Sequence, residues 1–231
     1  MRINMLFMFF LIAFCIADQR HFVWTYEYKT IKLGEVEFEH YYTTYYPNSS
    51  DITEGTITGH QLELEIGMND RYDFAIYHQF EQKETFTYKG FKLRGRYRFG
   101  EKNQYLLDPL LYLEYHGIPD FSEHSIEAKL IFAKETDQII ASFNPVLEVE
   151  YEDEGREIET EYAAGITYKF NKLFNAGFEL KGSTNGHYWG PVISHGLHDI
   201  WFSLGSAFAL GIIKDSKPKM EIRMIIGVGI K

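Results

Sequence analysis

The chain has 231 residues, a formal net charge of −10, a single cysteine and a mean hydropathy of −0.27. Such an acidic chain is poorly suited to nucleic acid, which attracts basic surfaces. After the first residues, no stretch approaches the ~20 consecutive apolar residues of a transmembrane helix, which excludes a helical membrane protein. The length suits one domain, and no Gly/Ser-rich or Pro-rich linker divides it.

The N-terminus has the pattern of a secretory signal peptide. Arg2 precedes an apolar run that ends at Ile16, and small side chains at Cys15 and Ala17 fit cleavage after Ala17. The run is too short to cross a bilayer as a helix. We therefore expect residues 1–17 to be removed, which takes away the cysteine and leaves neither a disulfide nor a thiol nucleophile.

Residues 18–33 form a separate N-terminal segment before the first complete strand. From Phe22 to Tyr28 the segment also alternates between apolar and polar residues, and it combines aromatic side chains with a charged one. Three interpretations are open: a periplasmic anchor, which is the commoner use of such a tail, an extra partial strand, or a stopper inside the lumen of a barrel.

Residues 34–231 alternate between apolar and polar positions in long segments separated by small polar turns. In one segment Leu62 and Leu64 alternate with Glu63 and Glu65. A strict period of two places one face of each strand in an apolar medium and the other in a polar one. The same pattern occurs in soluble antiparallel sandwiches, so it does not identify the solvent by itself.

Segment length favours a membrane. Soluble strands have about 5–6 residues, whereas a tilted strand that crosses a bilayer has about 9–11 or more. Backbone groups in hydrocarbon must all be hydrogen-bonded, so the sheet must close. We predict an all-β, antiparallel up-and-down transmembrane β-barrel after a cleaved signal peptide. Aromatic residues beside the predicted turns fit the girdle at a membrane interface: Tyr72, Phe99, Tyr105, Phe132, Phe170 and Phe174.

About twelve strands are predicted, and an even count places both termini of the outer-membrane barrel, residues 34–231, on the periplasmic side. Proline donates no ladder hydrogen bond, so Pro109, Pro145 and Pro191 are expected to mark bulges. The predicted segments are 34–46, 56–68, 71–81, 84–99, 105–116, 123–133, 138–152, 156–170, 174–182, 187–196, 199–213 and 220–230.

Three stretches carry a resemblance to a known family: Asp70–Tyr77, Lys92–Phe99 and Asp108–Tyr115. With these, the sequence from about Phe22 to the C-terminus resembles a family of uncharacterised outer-membrane barrels of Gram-negative bacteria. The resemblance implies the fold, an outer-membrane location, contact with outer-membrane lipid and insertion by the barrel-assembly machinery. It implies no activity. The chain departs from such barrels in ending on Ile230-Lys231 rather than on an aromatic residue.

A row of four cations, Lys92, Arg94, Arg96 and Arg98, occupies every second position of one strand. We interpret it as a charge ladder that faces the lumen. Functionally, the ladder and facing acids would create a transverse field that selects polar solutes. Structurally, they would pair across adjacent strands and fill the lumen, which needs no further assumption. The facing acids are predicted to be Glu63, Glu65, Asp73, Asp108, Glu114 and Glu150.

Catalytic and metal sites are not indicated. A lipid hydrolase dyad needs His and Ser two residues apart on one face, and only Ser122 and His124 have that spacing, in reverse order. His187 and His195 are too far apart along an extended strand to share one ion. We expect no enzyme activity, no metal and no cofactor. The oligomeric state cannot be derived from the sequence.

The function predicted from the sequence is that of an outer-membrane barrel, structural or a narrow passive channel for small polar solutes. The alternative from another class is a secreted soluble β-sandwich or calyx that binds a ligand in its interior. A lipid-modifying outer-membrane enzyme is a third alternative.

Overall fold

The computed structural model describes residues 19–48, 55–152, 155–197 and 199–230, apart from the side chain of Glu152. The predicted signal peptide, residues 1–17, lies outside the described residues. No helix in the described part of the chain is long and apolar enough to cross a membrane.

The chain folds into a closed antiparallel barrel of twelve strands. Each strand pairs with its neighbours in sequence, and the last strand pairs with the first, so the predicted up-and-down barrel is confirmed. The strands are β1 (Val36–Tyr46), β2 (Ile57–Gly67), β3 (Tyr72–Gln82), β4 (Phe86–Arg98), β5 (Asp108–Gly117), β6 (His124–Glu135), β7 (Ile139–Glu152), β8 (Gly155–Lys169), β9 (Phe174–Ser183), β10 (Gly186–Leu197), β11 (Ile200–Leu210) and β12 (Met220–Ile230).

One end of the barrel contains both the first residue of β1 and the last residue of β12. We call the end where β1 begins and β12 finishes the lower end, and the opposite one the upper end. Because neighbouring strands are antiparallel, the turns after even-numbered strands lie at the lower end. The turns after odd-numbered strands lie at the upper end.

The barrel is apolar outside and polar inside, as the alternation predicts. Leu64 and Leu93 are 38% and 37% exposed on the outer face, whereas Glu65 and Arg94 are 3% and 1% exposed inside. This arrangement contradicts the soluble alternatives, since a sandwich or calyx would place its apolar side chains in the interior and its charged ones in water.

The expected proline bulges are wrong. Pro109 pairs in regular register, and the ladders that contain Pro145 and Pro191 continue without a shift on either side of them. Each of these strands therefore tolerates the missing N–H of its proline without the extra residue of a β-bulge. The described register shift lies between Gln79 and Phe80 instead, opposite Gly90. The φ angle of Gly90 is +153°, and a Cβ added to Gly90 would stand 2.4 Å from a carbonyl oxygen of β5.

Candidate functional site

Residues 19–31 lie inside the barrel, and we call residues 19–33, which lead from there to β1, the luminal loop. Phe22 and Thr25 are each 0% exposed. The loop starts at Gln19 beside Ser194, in the lower half of β10, and returns to the lower end at Ile31, whose N–H donates to Asp73. Of the three interpretations of this segment, its position is that of a lumen stopper.

The two legs of the luminal loop are joined to each other. The backbone N–H and Nδ1 of His21 lie 2.6 and 2.7 Å from the two carboxylate oxygens of Glu27, and Lys29 donates to the carbonyl oxygen of Gln19. Burial opposes ionisation of Glu27, but His21 and Lys29 outweigh it and hold its pKa below the ordinary value. These contacts make the segment a compact Ω-type loop.

One carboxylate of the barrel wall holds the top of the loop. Glu179 on β9 accepts hydrogen bonds from three consecutive backbone N–H groups, those of Val23, Trp24 and Thr25, at 3.0, 2.9 and 2.7 Å. Consecutive N–H groups that converge in this way form an anion-binding nest. Glu179 is 2% exposed, so the wall supplies the anion that the loop needs in order to turn.

Other wall residues bind the backbone of the loop on both legs. Asn144 both accepts from the N–H of Tyr26 and donates to its carbonyl oxygen. On the other side, Ser203 donates to the carbonyl oxygen of Arg20, and Arg223 to that of Val23. Wall side chains thus replace the backbone ladder that the loop lacks.

Inward-facing glycines give the loop its space. A Cβ on Gly165 would stand 2.5 Å from the ring of Phe22, and a Cβ on Gly205 would stand 2.5 Å from Cγ2 of Val23. No ordinary side chain fits at such distances, so the inner wall is shaped to the loop.

The centre of the ladder is buried in ion pairs. Arg94 lies 2.6 Å from Glu63 and 2.7 Å from Glu65, and Arg96 binds Asp73 at 2.6 Å and also Glu65. Asp73 belongs to β3, next to β4 in the sheet, whereas Glu63 and Glu65 belong to β2, one strand further away. The two arginines are therefore neutralised by inward-facing acids, as the structural interpretation expects, but the pairing extends beyond the adjacent strand to β2.

The ends of the ladder differ from its centre. Lys92 pairs with Glu114 on β5 at 2.7 Å, while Arg98 donates to the hydroxyl of Thr30 in the luminal loop. Two predicted acids do not face the ladder. Asp108 accepts from backbone N–H groups in the turn before β5, and Glu150 lies three strands away on β7.

Two cavities flank the luminal loop. The upper cavity has a volume of about 310 Å³, and Trp24 and Tyr26 of the loop form part of its lining, together with Lys92. The lower cavity has a volume of about 600 Å³ and is lined by His21 and by side chains of the lower turns such as Lys102. The loop is therefore the element that lies between the two cavities.

The residues considered for catalysis or metal binding have other contacts. The Ser122 hydroxyl donates to Asp120, while the ring of His124 stacks on Tyr115 and Tyr151. Within the described ranges, no group of three or more His, Cys, Asp or Glu side chains is arranged to hold a metal ion.

The sequence analysis missed Glu179 and Asn144. By parity both belong to the inner face, because they alternate with the outward-facing Phe178 and Phe143. This signal places them in the lumen. It does not reveal their partners, which lie 118 to 156 residues away in a segment without regular structure.

No protein-family model and no curated protein sequence matches the chain. An outer membrane channel from Pseudomonas putida F1 is 7% identical, with a TM-score of 0.61 over 88% of this chain and 98% of that one. KdgM porin, solved in complex with disordered oligogalacturonate, is 10% identical, with a TM-score of 0.57 over 85% and 98%. NanC porin is 12% identical, with a TM-score of 0.55 over 85% and 99%. At these identities the similarity shows a shared fold.

Proposed function

We propose that the chain is an outer-membrane protein of a Gram-negative bacterium and a narrow passive channel for small polar solutes. In the described conformation the luminal loop closes this channel. The observation that carries the proposal is the pair of polar cavities separated by a loop rather than by the wall. The fold shared with outer membrane channels supports it.

The location rests on the outer surface of the barrel. Apolar side chains such as Leu64, Leu93 and Leu204 cover it, which suits outer-membrane lipid as the surrounding medium. We propose insertion by the barrel-assembly machinery and membership of the uncharacterised family that the sequence resembles. A channel needs no catalytic group, and the neighbours of known structure are channels and porins rather than enzymes.

The loop is a better candidate for a gate than the wall. Its backbone is held mainly by side chains, whereas each strand is held by two continuous ladders. The loop can therefore leave the lumen without breaking the barrel. The rival is a purely structural barrel with a permanently filled lumen, which the buried ion pairs of Arg94 and Arg96 favour.

Conductance in planar bilayers distinguishes a channel closed by the luminal loop from a barrel with a permanently filled lumen. Replacing residues 20–31 by a Gly/Ser stretch of equal length should give a steady conductance well above that of the wild-type protein. A control replacement of residues 118–123, the upper turn between β5 and β6 outside the lining of both cavities, should leave the wild-type behaviour unchanged. Heat-modifiable gel mobility checks that each variant is a folded barrel. Without conductance in the loop replacement, the channel proposal is wrong.

The charge ladder stays a proposed determinant of selectivity. Lys92 lines the upper cavity and can act on solutes directly, whereas Arg94, Arg96 and Arg98 would act through the field of the ion-pair network. Replacing the three arginines with Gln in the loop replacement should change the ratio of cation to anion permeability. An unchanged ratio removes the ladder from the selectivity mechanism.

A further inference from the structure

The upper cavity has an acidic wall on one side. Four glutamates on three adjacent strands form it: Glu127 on β6 and Glu161 on β8 line the cavity, and Glu148 on β7 and Glu159 on β8 lie next to them in the sheet. Glu127 is directly opposite Glu148 in the sheet, and Glu148 is directly opposite Glu159. Like charges in register destabilise a sheet, so this arrangement costs folding energy unless positive charge comes from elsewhere.

The protein supplies little of that positive charge. Lys129 lies 3.0 Å from Glu127. Glu148 accepts from the Ser125 hydroxyl and Glu159 from the Asn185 amide, which are neutral donors. Within the described residues, Glu148, Glu159 and Glu161 form no ion pair.

Cationic residues occupy the other side of the same cavity. Arg223 belongs to β12, six strands from β6 and thus half of the circumference away. Its guanidinium donates to the Thr43 hydroxyl and to a carbonyl oxygen and lies over the Trp24 ring, and within the described residues it forms no ion pair with a carboxylate. Lys217, in the turn before β12, also lines the cavity, whereas Lys181 lies on β9, next to β8, and pairs with Glu221 at 2.6 Å.

Opposite charges across a cavity produce a transverse field, and a field of this kind orients solutes that carry both charges. A carboxylate is attracted by Arg223, and an ammonium group is attracted by the acidic wall. A solute with only one charge gains on one side and is repelled on the other. A neutral polyol gains nothing from the field. The volume of about 310 Å³ limits the occupant to a small molecule.

We infer that the upper cavity is a binding site for small zwitterions of the α-amino acid class, with the carboxylate at Arg223 and the ammonium group at the acidic wall. This inference rests on the proposed channel and names its solute class. The aromatic floor formed by Trp24 and Tyr26 accommodates the short side chain of such a solute.

Binding can be measured without conduction, by saturation-transfer NMR on the full-length protein in detergent. The probes are alanine, propionate, which lacks the ammonium group, and ethylammonium, which lacks the carboxylate. Alanine should bind, and each analogue should bind about ten-fold more weakly, the factor for one lost charge-assisted hydrogen bond. Equal binding of alanine and either analogue, or the absence of alanine binding, would overturn the inference.

Variants test the acidic wall itself. The change Glu161→Gln, at an acid that lines the cavity, should weaken the binding of alanine and not that of propionate, because only an ammonium partner is removed. Glu84→Gln, in the upper turn between β3 and β4, removes an acid outside the cavity and should change neither. If alanine binds and the loop replacement does not conduct, the channel is wrong and the site remains. If the loop replacement conducts and alanine does not bind, the inferred binding site is wrong and the channel proposal remains.

Discussion

Glu179 is the most informative single residue of the luminal loop. Its carboxylate accepts three backbone N–H groups of Val23, Trp24 and Thr25 within 3.0 Å, in a position with 2% exposure. A glutamine at this position keeps one oxygen acceptor and turns an NH₂ group toward donors. At least one buried N–H then loses its partner, and the charge assistance is lost for all three.

Such a change should destabilise the closed position of the loop by about 3 kcal/mol, the cost of losing a buried charged acceptor. This free energy shifts the ratio of closed to open molecules roughly 100-fold. Glu179→Gln should therefore raise the open probability in planar bilayers and expose the loop to added protease. Heat-modifiable mobility should stay unchanged, because no strand ladder is altered.

The matched control is Glu81→Gln, an acid on β3 that pairs with Lys89 and lies outside the lining of both cavities. It should leave conductance and protease protection at wild-type levels. If Glu179→Gln behaves like this control, the nest does not hold the loop and the reasoning is refuted.

Three further predictions concern the lumen. Arg94→Gln leaves buried carboxylates without their cation and should lower barrel stability by about 3–5 kcal/mol, seen as a lower urea midpoint; an unchanged midpoint argues against the ion-pair network. Gly165→Val places atoms where the Phe22 ring lies and should make the loop protease-sensitive, whereas continued protection would mean that the loop packs elsewhere. Because the loop lowers the pKa of Glu27, its ionised form stabilises the closed loop. This stabilisation is present above the ordinary glutamate pKa and is lost as pH falls below it. Glu27→Gln should reduce that acid-induced loosening, because the contribution of Glu27 is then absent, and a variant with wild-type pH dependence would contradict the assignment.

Parity together with segment length was sufficient to predict the barrel. Leu64 and Glu65 alternate because a strand presents successive side chains to opposite faces, and the face is fixed by the medium on each side. The same rule placed Arg94 and Arg96 inside, where they pair with acids of β2 and β3. The rule did not predict the position of Asp108 relative to the cations. Arg98, the last cation of the charge ladder, pairs with Leu110 across β4 and β5, so Asp108 lies beyond the end of the charge ladder.

The position of the luminal loop could not be derived in the same way. Residues 19–33 have no ladder and no register, so no period relates them to the wall. Their fit depends on Glu179 and on the small size of Gly165 and Gly205, all far away in sequence. A glycine on an inward face indicates close approach but does not identify the partner.

The central claim is that the luminal loop occupies the barrel and closes it. A cysteine pair, Val23→Cys with Gly205→Cys, tests it directly, since a Cβ on Gly205 would stand 2.5 Å from Cγ2 of Val23. Single-cysteine variants control for bridges to Cys15, the one cysteine of the sequence. We predict an intramolecular disulfide in membranes and a silent protein in planar bilayers until reductant permits opening. Failure of the disulfide to form in a folded barrel, or full conductance with the disulfide intact, would contradict the account.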